Sequence, residues 1–164
     1  VSNQAIHGGS IRVVIAKSDS EHKIGDVMRF IIAEQLSFQA MAKYQKWAID
    51  VRDSIKYFGK SILDLKRQGF KIVAFAASAK GNTLLNAAGL NTDIIDYIVD
   101  STPEKIGKYS PGTGIPIVHP QELQKNPPDY VILLSWNFKE AIIPQIKELC
   151  DAKIIIPIPE FKIL

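Results

Sequence analysis

The chain has 164 residues, of which 46% are hydrophobic and 23% are charged, as is ordinary for one globular domain. Its formal net charge of +3 and its dispersed lysines do not make the basic patch that binds nucleic acid. One cysteine, Cys150, excludes an internal disulfide and a multi-cysteine zinc site, and no apolar run reaches the ~20 residues of a membrane span, so we expect a cytoplasmic protein without a metal.

The first 70 residues predict a strand followed by two helices. The opening, VSNQAIHGGS, is typical of an interior segment, so we expect the chain to be a fragment of a larger protein. Ile11 to Lys17 is a β-branched strand candidate, and Ile24 to Leu36 has helical apolar spacing. Ser37 to Gln68 predicts one long helix that ends at Gly69. Its apolar stripe, expected to pack on the sheet or a neighbouring domain, contains Tyr44, Trp47, Ala48, Val51, Ile55, Phe58, Ile62 and Leu65.

From Lys71 onward, strands alternate with helices. The predicted strands are Ile72 to Ala77, Tyr97 to Asp100, Ile115 to His119, Tyr130 to Ser135 and Lys153 to Ile158. The predicted helices are Gly81 to Ala88, Gln121 to Lys125 and Phe138 to Cys150. Continuous apolar strands in this alternation indicate an α/β, Rossmann-like fold whose mostly parallel sheet has helices on both faces. We expect residues 1–164 to form a single domain, with residues 1–70 as a lead-in and residues 71–164 as the α/β core.

The stretch KIVAFAASAKGNTLLNAAG has the shape of a phosphate-binding turn between a strand and a helix. In the dinucleotide fingerprint G-x-G-x-x-G, its three glycine positions would be Ala76, Ser78 and Gly81, so two glycines are missing. The turn could hold a dinucleotide, a smaller phosphorylated group, or no ligand. The residues that would contact a phosphorylated group are Ser78, Lys80, Gly81, Asn82 and Thr83.

Further candidates follow other strands at the same edge of the sheet, where ligands bind in open α/β folds. Asp100 follows the next strand, roughly where a nucleotide-binding fold keeps the acid that binds ribose. The loop KYSPGTG is either a binding loop or a structural turn; it contributes Lys108, Tyr109, Gly112 and Thr113, and Lys105 lies just before it. Trp136 could stack on a base or a sugar, or simply pack, and Asn137 is placed to N-cap the next helix.

Catalytic residues are not apparent. His7, His22 and His119 are scattered, and none has the spacing of a metal ligand. Neither a nucleophile elbow nor a pair of catalytic carboxylates is present in the sequence. We therefore expect a rim that binds a ligand without reacting with it.

Five stretches, in this order, resemble the C-terminal domain of the S-adenosylmethionine-dependent sugar C-methyltransferases of deoxysugar biosynthesis. They are HGGSIRV, ASAKGNTLL, IVDSTPEKIGKYSPGTGIPI, DYVILLSWNFKEAI and IPIPE. The resemblance covers nearly the whole chain. Ala76 departs from it, since glycine is expected at that position.

The resemblance implies a substrate-binding domain that is inactive alone. In the full enzymes, a base removes a proton beside the keto group of a nucleotide-linked sugar, a dTDP-sugar by expectation, and the enolate attacks the donor's methyl group. The zinc-binding region, the S-adenosylmethionine-binding middle domain and the histidine base would lie outside this chain, and His7 would not be that base. Because Lys80 lies at a predicted helix N-terminus, its loss is expected to weaken sugar-nucleotide binding roughly tenfold or more. The alternative is a stand-alone Rossmann-like nucleotide-binding or interaction domain with a vestigial phosphate turn.

Overall fold

The computed structural model describes residues 1–6, 9–23, 25–38 and 40–164. Two residues named above lie outside the described residues: His7, one of the three scattered histidines, and Ile24, the predicted start of the first helix. The chain divides into two compact units, Val1–Val51 and Arg52–Leu164. The role of residues 1–164 as one functional domain stays a prediction.

The first unit contains a short antiparallel hairpin and a helix. Strand β1 (Ser2–Gln4) pairs with β2 (Ser10–Arg12), so the predicted strand from Ile11 to Lys17 is wrong beyond Arg12. Val14 and Ile15 are 79% and 87% exposed, and β-branched residues do not make a strand without a partner to pack against. Helix α1 (Val27–Phe38) starts after Asp26, whose carboxylate accepts the N–H of Arg29 at 3.2 Å.

The long helix α2 (Met41–Arg67) begins four residues later than predicted. The apolar spacing continues from α1 into α2, and for this reason the predicted boundary, between Leu36 and Ser37, lies two residues before the end of α1. The end is as predicted: Gly69 has a φ of 87°, and the N–H groups of Gly69 and Phe70 donate to Lys66 and Leu65. In the apolar stripe, Phe58 and Ile62 are buried, whereas Tyr44 and Trp47 are 44% and 65% exposed.

The second unit confirms the predicted Rossmann-like sheet. Within the described residues the sheet has six strands in the order β5-β4-β3-β6-β7-β8, all parallel except β8. The strands are β3 (Ile72–Phe75), β4 (Ile98–Val99), β5 (Ile117–Val118), β6 (Tyr130–Leu133), β7 (Lys153–Ile156) and β8 (Lys162–Ile163). The helices are α3 (Ala79–Ala87), α4 (Glu122–Lys125) and α5 (Lys139–Leu149), with a 3-10 helix at Trp136–Phe138.

Helices cover both faces of this sheet, as the continuous apolar strands predict. On β3, Ile72 and Ala74 belong to one core cluster, which includes Phe58 and Ile62 of α2. Val73 and Phe75 point the other way and belong to a second cluster, to which α4 contributes Leu123 and α5 contributes Ile146. The two clusters hold the carboxyl ends of the strands at one edge, where the candidate site lies.

None of the helices in the described part of the chain combines the length and hydropathy needed to cross a bilayer. Strand β8, which pairs antiparallel with β7, was not among the predicted strands, because no pattern in the sequence indicated it. The five predicted strands of the sheet lie where the apolar runs placed them, and each is two or three residues shorter than predicted.

Candidate cleft at the carboxyl edge of the sheet

The turn from β3 to α3 is closed by a serine cap. Ser78 is the N-cap of α3, and its Oγ accepts the N–H of Gly81 at 3.1 Å and donates to the carbonyl oxygen of Leu134 at 3.0 Å. Helix α3 therefore starts two residues earlier than predicted. The N–H groups of Ala79 and Lys80 donate to no other group in the described part of the chain. These two donors, at the positive end of the helix, are available to an anion.

Gly81 allows α3 to approach the sheet closely. A β-carbon at this position would overlap Cβ of Leu134 and would lie 3.0 Å from Oγ of Ser78. Leu134 is buried in the core and cannot withdraw. The retained glycine of the fingerprint thus serves the packing of helix on sheet, which is the role of the third glycine in that motif.

Among the described residues other than glycine, Ala76 is the one with a positive φ, which is 72°. A β-carbon in this left-handed conformation costs about 1–2 kcal/mol. The surrounding backbone holds it, since the N–H of Ala76 donates to Val99 at 2.7 Å and the N–H of Ser78 donates to Ala76 at 2.8 Å. The glycine that the family resemblance leads one to expect at this position therefore has a conformational reason.

Replacing Ala76 with glycine is expected to raise the free energy of unfolding by roughly 0.5–1 kcal/mol, because relief of the left-handed strain outweighs the added freedom of the unfolded chain. Chemical denaturation measures the change. Ala87→Gly, in the ordinary helical conformation of α3, is the matched control and should lower stability by about 1 kcal/mol. Equal losses in the two variants would contradict the assignment of strain to Ala76.

Asp100 holds the turn from inside. Its side chain is 8% exposed, and its carboxylate accepts the N–H of Ala77 and of Thr102, each at 2.8 Å, and Nζ of Lys105 at 3.0 Å. Burial alone would raise the pKa of Asp100, but hydrogen bonds from Thr102, Lys105 and Ala77 outweigh it and keep the pKa below 3.8. Lys105 also donates to the carbonyl oxygen of Ala77 at 3.0 Å. The carboxylate and the amine are thus engaged with the protein itself.

The loop between β4 and β5 is built around buried hydroxyl groups. Ser110 and Thr113 are buried and hydrogen-bond to each other, and Oγ of Ser110 accepts the N–H of Ile115 at 3.0 Å. Gly112, with a φ of 78°, packs so closely on Asn86 that a β-carbon would overlap the amide of that side chain. Gly112 and Thr113 therefore shape the loop, and the loop presents Lys108 and Tyr109, both exposed, towards α3.

These elements enclose a cleft of about 540 Å³. Ala77, Ile98, Ile117 and Leu134 give it an apolar base, and α3 and the β4–β5 loop provide its polar groups. The polar side chains and loop residues that line it are Ser78, Asn82, Thr83, Glu104, Lys105, Lys108, Tyr109, Ser110 and Pro111. The cleft lies outside the carboxyl ends of parallel strands, where ligands bind in open α/β sheets.

The structure brings together five of the predicted site residues, which all line the cleft: Ser78, Asn82, Thr83, Lys108 and Tyr109. Four others, Gly81, Asp100, Gly112 and Thr113, support its walls from behind. Lys80 and Trp136 lie elsewhere on the rim, with Nζ of Lys80 5.9 Å from the centroid of the indole ring. Ligand contacts by any of these residues stay predictions.

Asn137 does not cap α5, so that expectation is wrong. It lies inside the 3-10 helix, and Phe138 precedes the first residue of α5. Glu104, which was not among the predicted site residues, also lines the cleft, as does Lys105, for which only a place on the rim was predicted. Their position in the loop that carries Lys108 was a signal for both.

One polar atom in the cleft wall lacks a partner. Among the buried side-chain oxygen and nitrogen atoms of the described residues, Oδ1 of Asn82 is the one that makes no hydrogen bond. An unpaired buried acceptor costs roughly 1–3 kcal/mol, and such atoms occur where a ligand or water supplies the missing group. A group of three or more histidine, cysteine, aspartate or glutamate side chains that could hold a metal ion is absent from the described residues.

A family model described as the C-methyltransferase C-terminal domain matches residues 5–159. The chain belongs to this family. The C-methyltransferase NovU of Streptomyces niveus is 33% identical over an alignment of 167 positions, which covers 97% of this chain and 39% of that relative. The family resemblance seen in the five motifs is thereby confirmed, and the chain spans well under half the length of the relative.

Proposed function

We propose that this C-terminal domain holds a nucleotide-linked keto-sugar in the rim cleft while a methyl group is transferred to a carbon of the sugar. The observation that carries the proposal is the combination of two unpaired helix N–H groups with the Lys108 amine, which makes no ion pair with the described residues. Hydrogen-bond donors at a helix start, with a cation lining the same cleft, favour a diphosphate. The apolar base of the cleft suits a ring.

We propose further that S-adenosylmethionine binds to a part of the methyltransferase outside this chain. The donor carries a ribose, which Rossmann-type sites bind through an acid after a strand. Asp100 occupies that position, but three groups of the protein already use its carboxylate. The residues of this turn therefore do not fit the donor, and we expect the chain alone to transfer no methyl group.

Replacing Lys108 with alanine is expected to weaken binding of dTDP-glucose about tenfold or more, since a charge-assisted hydrogen bond contributes ~1.5–3 kcal/mol and ~1.4 kcal/mol is a factor of ten. Isothermal titration of the chain with dTDP-glucose measures the change. The melting temperature without ligand should not move, because the Lys108 side chain is exposed.

Lys125→Ala is the matched control, because it removes the same charge from a helix that does not line the cleft. It should leave affinity within twofold. Lys80→Ala, titrated beside them, tests the sequence-based expectation for Lys80, which the structure places over Trp136. No measurable dTDP-glucose binding by the unmodified chain would favour the alternative, a stand-alone module with a vestigial turn.

A further inference from the structure

Glu104 lines the cleft, but the anion-binding role proposed above does not account for it. Its side chain is exposed in the β4–β5 loop and makes no hydrogen bond or ion pair with another described residue. Lys105, its neighbour in sequence, cannot neutralise it, because the amine of Lys105 is bound to Asp100 and to the carbonyl oxygen of Ala77. A ligand that carried only phosphate would meet this negative charge as well as the amine of Lys108 in the same cleft.

A second acceptor in the same cleft also lacks a donor. Oδ1 of Asn82, on α3, is buried without a hydrogen bond. An ionised carboxylate accepts hydrogen bonds and donates none, and an amide oxygen likewise only accepts. Phosphate oxygens cannot satisfy either group. A ligand that brings O–H or N–H donors together with its anionic group would complement these acceptors as well as the donors of the cleft.

We infer that Glu104 is a specificity-determining residue, whose carboxylate accepts a hydrogen bond from a hydroxyl group of the ligand's sugar. This inference rests on the proposed function of the cleft. Glu104 would then bind a sugar hydroxyl, which is the role that the sequence predicts for Asp100. Asp100 holds the strand-to-helix turn, whereas the carboxylate of Glu104 is free to bind the ligand.

Glu104→Ala has opposite effects on two ligands if this inference is correct. Its affinity for dTDP-glucose should fall about tenfold, because a hydrogen bond to a charged group is lost. Its affinity for inorganic pyrophosphate, which has no hydroxyl donor on carbon, should rise about twofold as a like charge is removed from an exposed site. Glu104→Gln keeps one acceptor oxygen and should lose less affinity for dTDP-glucose than Glu104→Ala.

Titration of dTDP alongside dTDP-glucose identifies the hydroxyl. A loss that appears with both ligands assigns the hydroxyl to deoxyribose, and a loss confined to dTDP-glucose assigns it to the hexose. Unchanged or increased affinity of Glu104→Ala for dTDP-glucose would overturn the inference while leaving the proposed function intact. Failure of the unmodified chain to bind dTDP-glucose would remove both.

Discussion

Replacing Asp100 with alanine is expected to lower the free energy of unfolding by about 2–5 kcal/mol at pH 7. The substitution leaves the N–H groups of Ala77 and Thr102 without their acceptor, and an unsatisfied buried donor costs roughly 1–3 kcal/mol. Lys105 loses its partner as well, but its side chain is 41% exposed and can turn to water. Urea unfolding at pH 7 measures the loss.

Asp100 also makes the free energy of unfolding depend on pH under acidic conditions. Because the pKa of Asp100 is lower in the folded chain than its ordinary value of 3.8, the carboxylate stabilises the fold above that value. This contribution is lost as the pH falls through the folded pKa. The difference in stability between the unmodified chain and Asp100→Ala should therefore be constant at neutral pH and shrink below about pH 4.

Asp151→Ala is the control for removal of a carboxylate, since Asp151 is exposed and makes no hydrogen bond with the described residues. It should change stability by less than ~0.5 kcal/mol. A loss of that small size in Asp100→Ala would contradict the structural role of the buried carboxylate.

Gly81→Val is expected to lower the free energy of unfolding by about 3 kcal/mol and to abolish dTDP-glucose binding. Even the β-carbon overlaps Leu134, and the two methyl groups of valine enlarge the conflict in a packed core. Relief requires α3 to move away from the sheet, and this would break the cap between Ser78 and Gly81 and displace the unpaired N–H groups. Denaturation and titration of the variant measure both effects.

Ala87→Val controls for the weaker helix propensity of valine, because Ala87 lies in the same helix and is exposed. Its cost should stay below about 1 kcal/mol. If Gly81→Val costs no more than Ala87→Val and binds normally, the close approach of α3 to Leu134 is not what shapes the cleft.

The α/β core was predictable because its signals are local and consistent. Runs such as Tyr130 to Leu133 are apolar at every position, and this pattern is typical of a strand that is covered on both faces. All four residues are buried in the structure. Gly69 ended the long helix for a local reason too. Strand β8 had no such signal, since it contains two residues. The boundary between the first two helices was predicted a few residues too early, because apolar spacing continues across it.

The candidate site was predictable as a place but not as a set of contacts. The carboxyl edge of the sheet and the β3–α3 turn follow from the alternation of strands and helices. The use of Asp100 depends on Ala77, 23 residues away, and on Lys105, so the sequence showed an acid without showing that its oxygens are occupied. Asn137 looked like a cap because the 3-10 helix between Ser135 and Lys139 is not visible in the sequence.

The central claim is that the rim cleft binds the nucleotide-linked sugar, and amide chemical-shift mapping by NMR during titration of the chain with dTDP-glucose tests it most directly. We expect saturable shifts centred on the cleft-lining residues Ala79, Lys108 and Tyr109, together with the unpaired amide of Lys80 next to Ala79. Absence of saturable shifts would contradict it. So would shifts confined to the opposite edge of the sheet, around Asp129 and Lys153.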